Sequence, residues 1–156
     1  PDAERFATLQ AAYVFNIAKF VQWPADAFSQ HFTLCLFGDA RLPLLQQLQQ
    51  GTQNRVLHQL PVQVHHLNTK NLQATPVNCH ILYLVQAPDE QQLQLLQQHY
   101  GERVLKIAAP DVSGDNLALI ELALEQNRLV LYLNAAALAR SELKASPSFL
   151  SVAKQR

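Results

Sequence analysis

The chain has 156 residues, of which 49% are hydrophobic and 15% are charged, and its 12 basic and 12 acidic side chains give a formal net charge of zero. This length is typical of a single domain, here residues 1–156. The charge balance argues against nucleic acid as a partner, because duplex-binding proteins carry a clustered basic surplus. A membrane-spanning helix needs about 20 consecutive apolar residues, and polar residues interrupt every apolar stretch of this chain before that length.

The first predicted element is a helix that begins after Asp2, whose carboxylate is a suitable N-terminal cap. Apolar side chains then recur at intervals of three and four residues, as is typical of a helix face that meets a core. They are Phe6, Leu9, Tyr13, Ile17 and Phe20. Trp23-Pro24 ends this helix, because the residue before a proline avoids helical dihedral angles.

Strands and helices alternate in the next part of the chain. Continuous apolar runs over residues 32–37 and 79–85 are typical of strands covered on both faces. Between these two strands the sequence predicts a helix over residues 41–50, a more exposed strand over 59–67 and a polar loop over 68–76.

The second half continues the alternation. Pro88-Asp89-Glu90 opens a helix, and Gly101 closes it. The remaining predicted elements are a strand over 103–108, a turn-rich loop over 109–116, a hairpin formed by 117–124 and 129–133, and helical regions over 134–143 and 149–154.

This order of elements predicts an α/β fold. Strands that alternate with helices form βαβ units with right-handed crossovers, which place helices on both faces of a parallel sheet. We therefore expect a mostly parallel sheet with helices on both faces, a leading N-terminal helix and a C-terminal antiparallel hairpin.

The two cysteines occupy similar places in the two apolar strands. Cys35 lies in the first and Cys79 opens the second. If these strands are neighbours in the sheet, the Cα atoms can come within the about 4.4–6.8 Å that a disulfide requires. Two reduced, buried cysteines that pack as small hydrophobic residues are the alternative. The residues alone leave both interpretations open.

The six histidines do not form a metal-binding pattern. His65 and His66 are adjacent on a predicted strand, so their side chains point to opposite faces of the sheet. The other histidines lack the i, i+4 spacing and the nearby carboxylates that converge on an ion. We expect neither a metal nor a cofactor.

Gly38, Asp39 and Asp111 are candidate ligand-binding residues. They follow predicted strands, and α/β folds bind ligands at the carboxyl ends of their strands. Aspartates that cap the following helices are the alternative explanation. The chain contains no GxGxxG, no Walker lysine motif and no GxSxG, and no nucleophile stands beside a base. The sequence therefore gives no case for an enzyme.

Several blocks along the chain resemble the YfiR/HmsC-like periplasmic regulators, in the order in which that family has them. The first block is Ala11-Ala12-Tyr13-Val14-Phe15-Asn16-Ile17-Ala18-Lys19-Phe20-Val21-Gln22-Trp23-Pro24. The others are Leu34-Cys35-Leu36-Phe37-Gly38-Asp39, Cys79-His80-Ile81-Leu82-Tyr83-Leu84, Val104-Leu105-Lys106-Ile107, Leu131-Tyr132-Leu133-Asn134-Ala135-Ala136-Ala137 and Leu143-Lys144-Ala145-Ser146. The chain departs from the family where Ser113-Gly114-Asp115-Asn116 replaces a Gly-Gly pair, and where Gly51 alone remains of a glycine-rich turn.

The resemblance implies a periplasmic protein, with a signal peptide cleaved before Pro1. The oxidising compartment then favours a Cys35–Cys79 disulfide, whose reversible reduction is a regulatory input. The resemblance also implies a non-enzymatic homodimer that binds the periplasmic sensor region of a membrane diguanylate cyclase, lowering cyclic-di-GMP and biofilm formation. A small-molecule-binding sensor module, with its ligand in the crevice beyond Gly38 and Asp111, is the alternative function.

For the partner-binding surface we predict the carboxyl-terminal region. Phe149 and Leu150 lie outside the predicted sheet elements, and Leu143 precedes them. Trp23 at the end of the first helix is a further candidate, because aromatic side chains anchor protein interfaces. Packing in the core is the alternative, and it is the more usual place for the apolar stripe of a helix.

Overall fold

A computed structural model describes residues 2–27, 30–38, 42–73, 77–113 and 117–155. The helices are α1 (Asp2–Phe20), α2 (Leu42–Thr52), α3 (Thr69–Leu72), α4 (Glu90–His99), α5 (Ala135–Arg140) and α6 (Pro147–Val152). The strands are β1 (Val21–Gln22), β2 (Phe32–Phe37), β3 (Val56–Leu57), β4 (Leu60–Leu67), β5 (Ile81–Leu84), β6 (Leu105–Ala108), β7 (Ile120–Glu125), β8 (Arg128–Leu133), β9 (Lys144–Ala145) and β10 (Lys154–Gln155).

Eight strands form one mixed sheet in the order β10-β8-β7-β6-β5-β2-β4-β3. The central strands are parallel: β2 pairs with β4 and β5, β5 with β6, and β6 with β7. The β7–β8 hairpin and the β3–β4 pair are antiparallel. The predicted α/β class, with its mostly parallel sheet, is confirmed.

Helices cover both faces of this sheet, so β2 is buried along its whole length. Because side chains alternate along a strand, Phe32, Leu34 and Leu36 join the core beneath α1 and α2. Cys35 and Phe37 join a second, smaller core on the opposite face, with Leu96 of α4 and Leu72 of α3. Two covered faces explain why this strand reads as an uninterrupted apolar run.

The polar loop predicted over residues 68–76 contains the short helix α3. Asn68 accepts a hydrogen bond from the backbone N–H of Asn71, and the Asn71 side chain accepts one from the backbone N–H of Asn68. This capping box stabilises a single turn that has too little apolar periodicity to be recognised in the sequence. The same arrangement at Asp89 and Gln92 caps α4.

Four two-residue strands, β1, β3, β9 and β10, were not predicted from the sequence. β1 and β9 form a separate antiparallel pair through Val21 and Ala145, and the backbone N–H of Ser146 donates to the carbonyl of Phe20 at 2.9 Å. β10 pairs with the outer edge of β8. Two-residue strands carry no period, so only the tertiary contacts reveal them.

Of the two places where the chain departs from the glycines of the family, the structure describes Gly51 but not the loop at Gly114. Gly51 lies within α2, so no glycine turn is formed at that residue. The predicted loop at Gly114-Asp115-Asn116 lies outside the described residues, and so does Asp39. Among the described residues, none of the helices combines the length and hydropathy needed to cross a bilayer.

Candidate functional site

An apolar groove of about 240 Å³ lies between α1, β8 and α6. Its lining includes Tyr13, Ile17, Phe20, Leu131, Phe149 and Val152. Two of these side chains are largely open to solvent: Phe20 is 43% exposed and Val152 is 69% exposed. Large apolar side chains that share one groove are costly to leave hydrated, so this groove is a candidate binding surface.

Both walls of the groove are held in place by hydrogen bonds. The Tyr13 hydroxyl on α1 donates to the carbonyl of Leu129 on β8 at 3.2 Å. At the start of α6, the Ser146 hydroxyl accepts from the backbone N–H of Phe149 at 3.2 Å. Pro147 occupies the first turn, where its missing N–H is harmless. The groove is therefore a preformed feature of the fold.

Most of the predicted partner-binding residues are buried. Phe149 is 3% exposed, and Leu143 belongs to the same core beneath α1. Placing these two residues on an accessible surface is therefore wrong. The first turn of α6, capped by Ser146, directs Phe149 into the core beneath α1. Leu150 is 39% exposed, and partner binding there stays a prediction.

Trp23 is also a core residue. Its ring lies edge-on to Phe32, with the ring centroids 5.1 Å apart, and its indole N–H donates to the carbonyl of His80 at 3.2 Å. A buried tryptophan needs such a partner for its N–H. Like Phe149, Trp23 is buried in the folded chain, so expecting its side chain on an accessible surface is wrong.

Cys35 and Cys79 form a disulfide, with their Cα atoms 5.9 Å apart. Both half-cystines are buried in the core between the sheet and α4. The bond joins the middle of β2 to the segment that leads into β5, its neighbour in the sheet. The predicted pairing is confirmed.

His80 lies beside the disulfide and is buried. Burial lowers the pKa of its imidazole, and the positive charge of a protonated His58 nearby lowers it further, although the hydrogen bond to the Ala27 carbonyl opposes both. Among the described residues, no three histidine, cysteine, aspartate or glutamate side chains converge as metal ligands would. The ring of His80 instead joins two backbone segments, because Nε2 lies 2.9 Å from the carbonyl of Ala27 and Nδ1 lies 3.0 Å from the backbone nitrogen of Thr33.

Lys106 is a buried charge that the sequence analysis did not single out. Its ammonium group donates to the carbonyl of Gly101 at 2.7 Å, just beyond the end of α4. Burial lowers the pKa of this amine, and Glu102 acts in the opposite direction. A cation at a helix C-terminus is favourable, which explains why β6 tolerates a lysine between buried apolar residues.

A second concave region, of about 780 Å³, lies at the carboxyl ends of β5 and β6. Gln10 of α1, Gln86 after β5 and Asp111 after β6 are its polar lining. Phe6, Pro43 and Val112 are among its apolar lining. We call this region the strand-end crevice.

The three predicted ligand-binding residues fall differently in the structure. Asp111 lines the strand-end crevice and is exposed. Gly38 does not line it: a Cβ at Gly38 would lie 2.9 Å from both the Cβ of Gln86 and a Cγ of Val85, and its φ is +137°. The glycine is thus needed for close approach of two chain segments. Asp39 lies outside the described residues.

Fold and surface together define a disulfide-bonded α/β domain that presents an apolar groove on one side and a strand-end crevice at one end of its sheet. A family model described as YfiR/HmsC-like matches residues 7–154. The chain belongs to the YfiR/HmsC-like family, whose members are known as periplasmic regulators of diguanylate cyclases. No curated protein matches the chain.

Proposed function

We propose that this protein is a periplasmic negative regulator that binds the periplasmic sensor region of a membrane diguanylate cyclase and lowers its cyclic-di-GMP output. Family membership over residues 7–154 carries this proposal. A repressor of this kind acts by binding one conformational state of its partner more tightly than the other. It needs a preformed binding surface and no reaction chemistry.

The disulfide supports the proposed compartment. Structural disulfides persist in the bacterial periplasm and are rare in the cytosol, where thiols are kept reduced. Both half-cystines of the Cys35–Cys79 bond are buried in the core, which hinders the approach of a reductant. A protein built around such a bond fits an oxidising environment.

We place the docking site in the apolar groove between α1, β8 and α6. Phe20 and Val152 are its exposed apolar members, and hot spots in protein interfaces are apolar or aromatic side chains that become desolvated on binding. Within the described residues, no charged side chain lines the groove. An apolar segment of the cyclase sensor region is therefore the matching partner surface.

The test compares exposed positions at opposite ends of the sheet. Phe20→Glu and Val152→Glu each place a charge in the groove, whereas Val56→Glu places one on β3, at the far edge of the sheet. Val56 is 58% exposed, so it is a matched control for an accessible apolar side chain. Binding of each variant to the purified periplasmic segment of a cyclase is measured, with thermal unfolding as the check on folding.

We expect the two groove variants to weaken binding at least about tenfold, which corresponds to 1.4 kcal/mol, and Val56→Glu to bind as the wild type does. In cells that contain the cognate cyclase, the groove variants then raise cyclic-di-GMP. Wild-type binding by both folded groove variants would show that the docking site lies elsewhere. Unchanged cyclic-di-GMP after deletion of the gene would contradict the regulatory function itself.

A homodimer is part of the same proposal. Light scattering on the purified protein gives its mass directly. If Phe20→Glu and Val152→Glu convert a dimer to a monomer while cyclase binding persists, the groove serves the second copy of this chain and the cyclase binds another surface.

A further inference from the structure

The strand-end crevice lies where the direction of the chain through the sheet reverses. From β2 the chain passes through α2 to β4 on one side, and from β5 it passes through α4 to β6 on the other side. β2 and β5 are neighbours in the sheet, so the change of direction lies between them, and the crevice at this end is lined by Pro43 and Leu44 at the start of α2 and by Gln86 after β5. In open α/β sheets this switch point is where ligands bind.

The crevice has the size and lining of a small-molecule site. Its volume of about 780 Å³ lies in the range of pockets that hold small molecules, about 300–1,000 Å³. Most of the lining is apolar, and Phe6, Leu44 and Pro43 contribute to it from α1 and α2. A few polar groups in an apolar pocket are what orients a ligand.

Gln10 offers the crevice a hydrogen-bond donor. The Tyr83 hydroxyl donates to the Gln10 side-chain oxygen at 2.6 Å, and burial raises the pKa of Tyr83, so this hydroxyl keeps its proton. The amide nitrogen of Gln10 makes no hydrogen bond within the described part of the chain. Because Gln10 lines the crevice, this nitrogen is available to an acceptor on a ligand.

Asp111 offers the crevice a negative charge. Among the described lining residues it is the one acidic or basic side chain. Its backbone has a φ of +65°, in the left-handed region that only a few per cent of non-glycine residues adopt. The β6 loop thus holds a carboxylate at the rim in a conformation that most side chains avoid.

We propose that the strand-end crevice binds a small amphipathic molecule that carries a protonated amine. Its ammonium group pairs with the Asp111 carboxylate, its apolar body packs against Phe6 and Pro43, and an acceptor on it receives the Gln10 amide N–H. This ligand site is separate from the apolar groove and does not depend on the function proposed above.

The test uses three probes of nearly the same size and different charge: 2-phenylethylamine, 2-phenylethanol and phenylacetate. Each is titrated into the purified protein, with binding followed by calorimetry and by the chemical shifts of the crevice residues. We expect the amine to bind about tenfold more tightly than the alcohol, the difference made by one charge-assisted hydrogen bond. Phenylacetate, which Asp111 repels, binds least.

Three variants assign the binding to the crevice. Asp111→Asn removes the charge and keeps a residue that tolerates a positive φ, so the amine should lose its advantage over the alcohol. Ala87→Trp fills the crevice from an exposed position and should abolish binding of all three probes. Glu90→Gln removes an exposed carboxylate on α4, outside the crevice lining, and should change nothing.

The proposal is overturned if the amine has no preference over the other probes, or if folded Ala87→Trp binds the amine as the wild type does. Because the protein is tested without a cyclase, failure here leaves the regulatory function standing. Failure of cyclase binding likewise leaves this site standing.

Discussion

Thr33 and His80 are joined by two reciprocal hydrogen bonds, one of which uses the imidazole ring. The backbone N–H of His80 donates to the Thr33 carbonyl at 2.9 Å, and the backbone N–H of Thr33 donates to Nδ1 of His80 at 3.0 Å. Nε2 then lies 2.9 Å from the carbonyl of Ala27, to which it donates. The buried ring is therefore neutral, with its proton on Nε2.

This arrangement makes the stability of the fold sensitive to mild acid. Because burial lowers the pKa of His80 in the folded chain, the unfolded chain binds its proton more readily and at a higher pH. The contribution of neutral His80 to the free energy of unfolding is therefore fully present above about pH 6.5, the ordinary histidine pKa. It is lost as the pH falls below that value. A single such proton gives a slope of at most about 1.4 kcal/mol per pH unit.

Urea unfolding at pH 7.5 and pH 5.5 measures this slope. His80→Asn keeps an acceptor for the Thr33 N–H and carries no titrating ring, so its free energy of unfolding should change less between the two pH values. His31→Asn removes a histidine that makes no hydrogen bond to the residues described by the structure, and it should retain the wild-type slope. Equal slopes for wild type and His80→Asn would contradict the assignment to His80.

The disulfide should contribute a large part of the stability. Cys35 and Cys79 are 44 residues apart. Closing a loop of that length lowers the entropy of the unfolded chain, which increases the free energy of unfolding by about 4 kcal/mol. We expect the double variant Cys35→Ala/Cys79→Ala to lose about this amount in urea unfolding.

The same bond should resist reduction in the folded state, because both half-cystines are buried. Thiol trapping after incubation with dithiothreitol is expected to show slow reduction without denaturant and fast reduction in urea. Fast reduction of the native protein would instead indicate that the core around Cys79 opens readily, which a redox-regulated protein would require.

Among the glycines that the structure describes, Gly38 should be the least tolerant of substitution. Gly38→Ala would bring its Cβ to 2.9 Å from Gln86 and Val85, at a φ that L-residues avoid, at a cost of about 1–3 kcal/mol for the strain alone. Gly51→Ala is the matched control. No atom outside its neighbours lies within 4 Å of a Cβ there, and it sits in α2, so alanine should stabilise by about 0.5–1 kcal/mol. Equal melting temperatures for the two variants would contradict this account.

Local patterns in the sequence predicted the central strands and helices well. The pairing of the cysteines depends on tertiary contacts, which local patterns do not contain. The apolar run at 32–37 could be interpreted as a doubly covered strand because both faces meet helices. The residues alone could not decide between a disulfide and two reduced cysteines, because the pairing depends on β2 and β5 being neighbours. That adjacency follows from where the chain reverses direction, which periodicity does not encode.

The candidate sites were harder to predict, for a related reason. Phe20 belongs to the apolar stripe of α1 and gave no sign that it lies beyond the covered part of the helix. Phe149 gave no sign that the first turn of α6 would direct it inward. The exposure of an apolar side chain is a property of the assembled fold. The sequence therefore predicted Phe149 and Leu150 alike as surface residues, whereas the structure buries Phe149 and exposes Leu150.

The contrast between Phe149 and Leu150 gives the sharpest test of this difference in burial. Phe149→Ala should destabilise the protein by about 3–5 kcal/mol, because removing a buried ring leaves a cavity under α1. Leu150→Ala, at the next and more exposed position of the same helix, should change the free energy of unfolding by well under about 1.5 kcal/mol. Chemical denaturation of both variants measures the two values. Similar small losses at both positions would mean that α6 does not pack against α1 in solution, and the groove between them would not exist as a preformed surface.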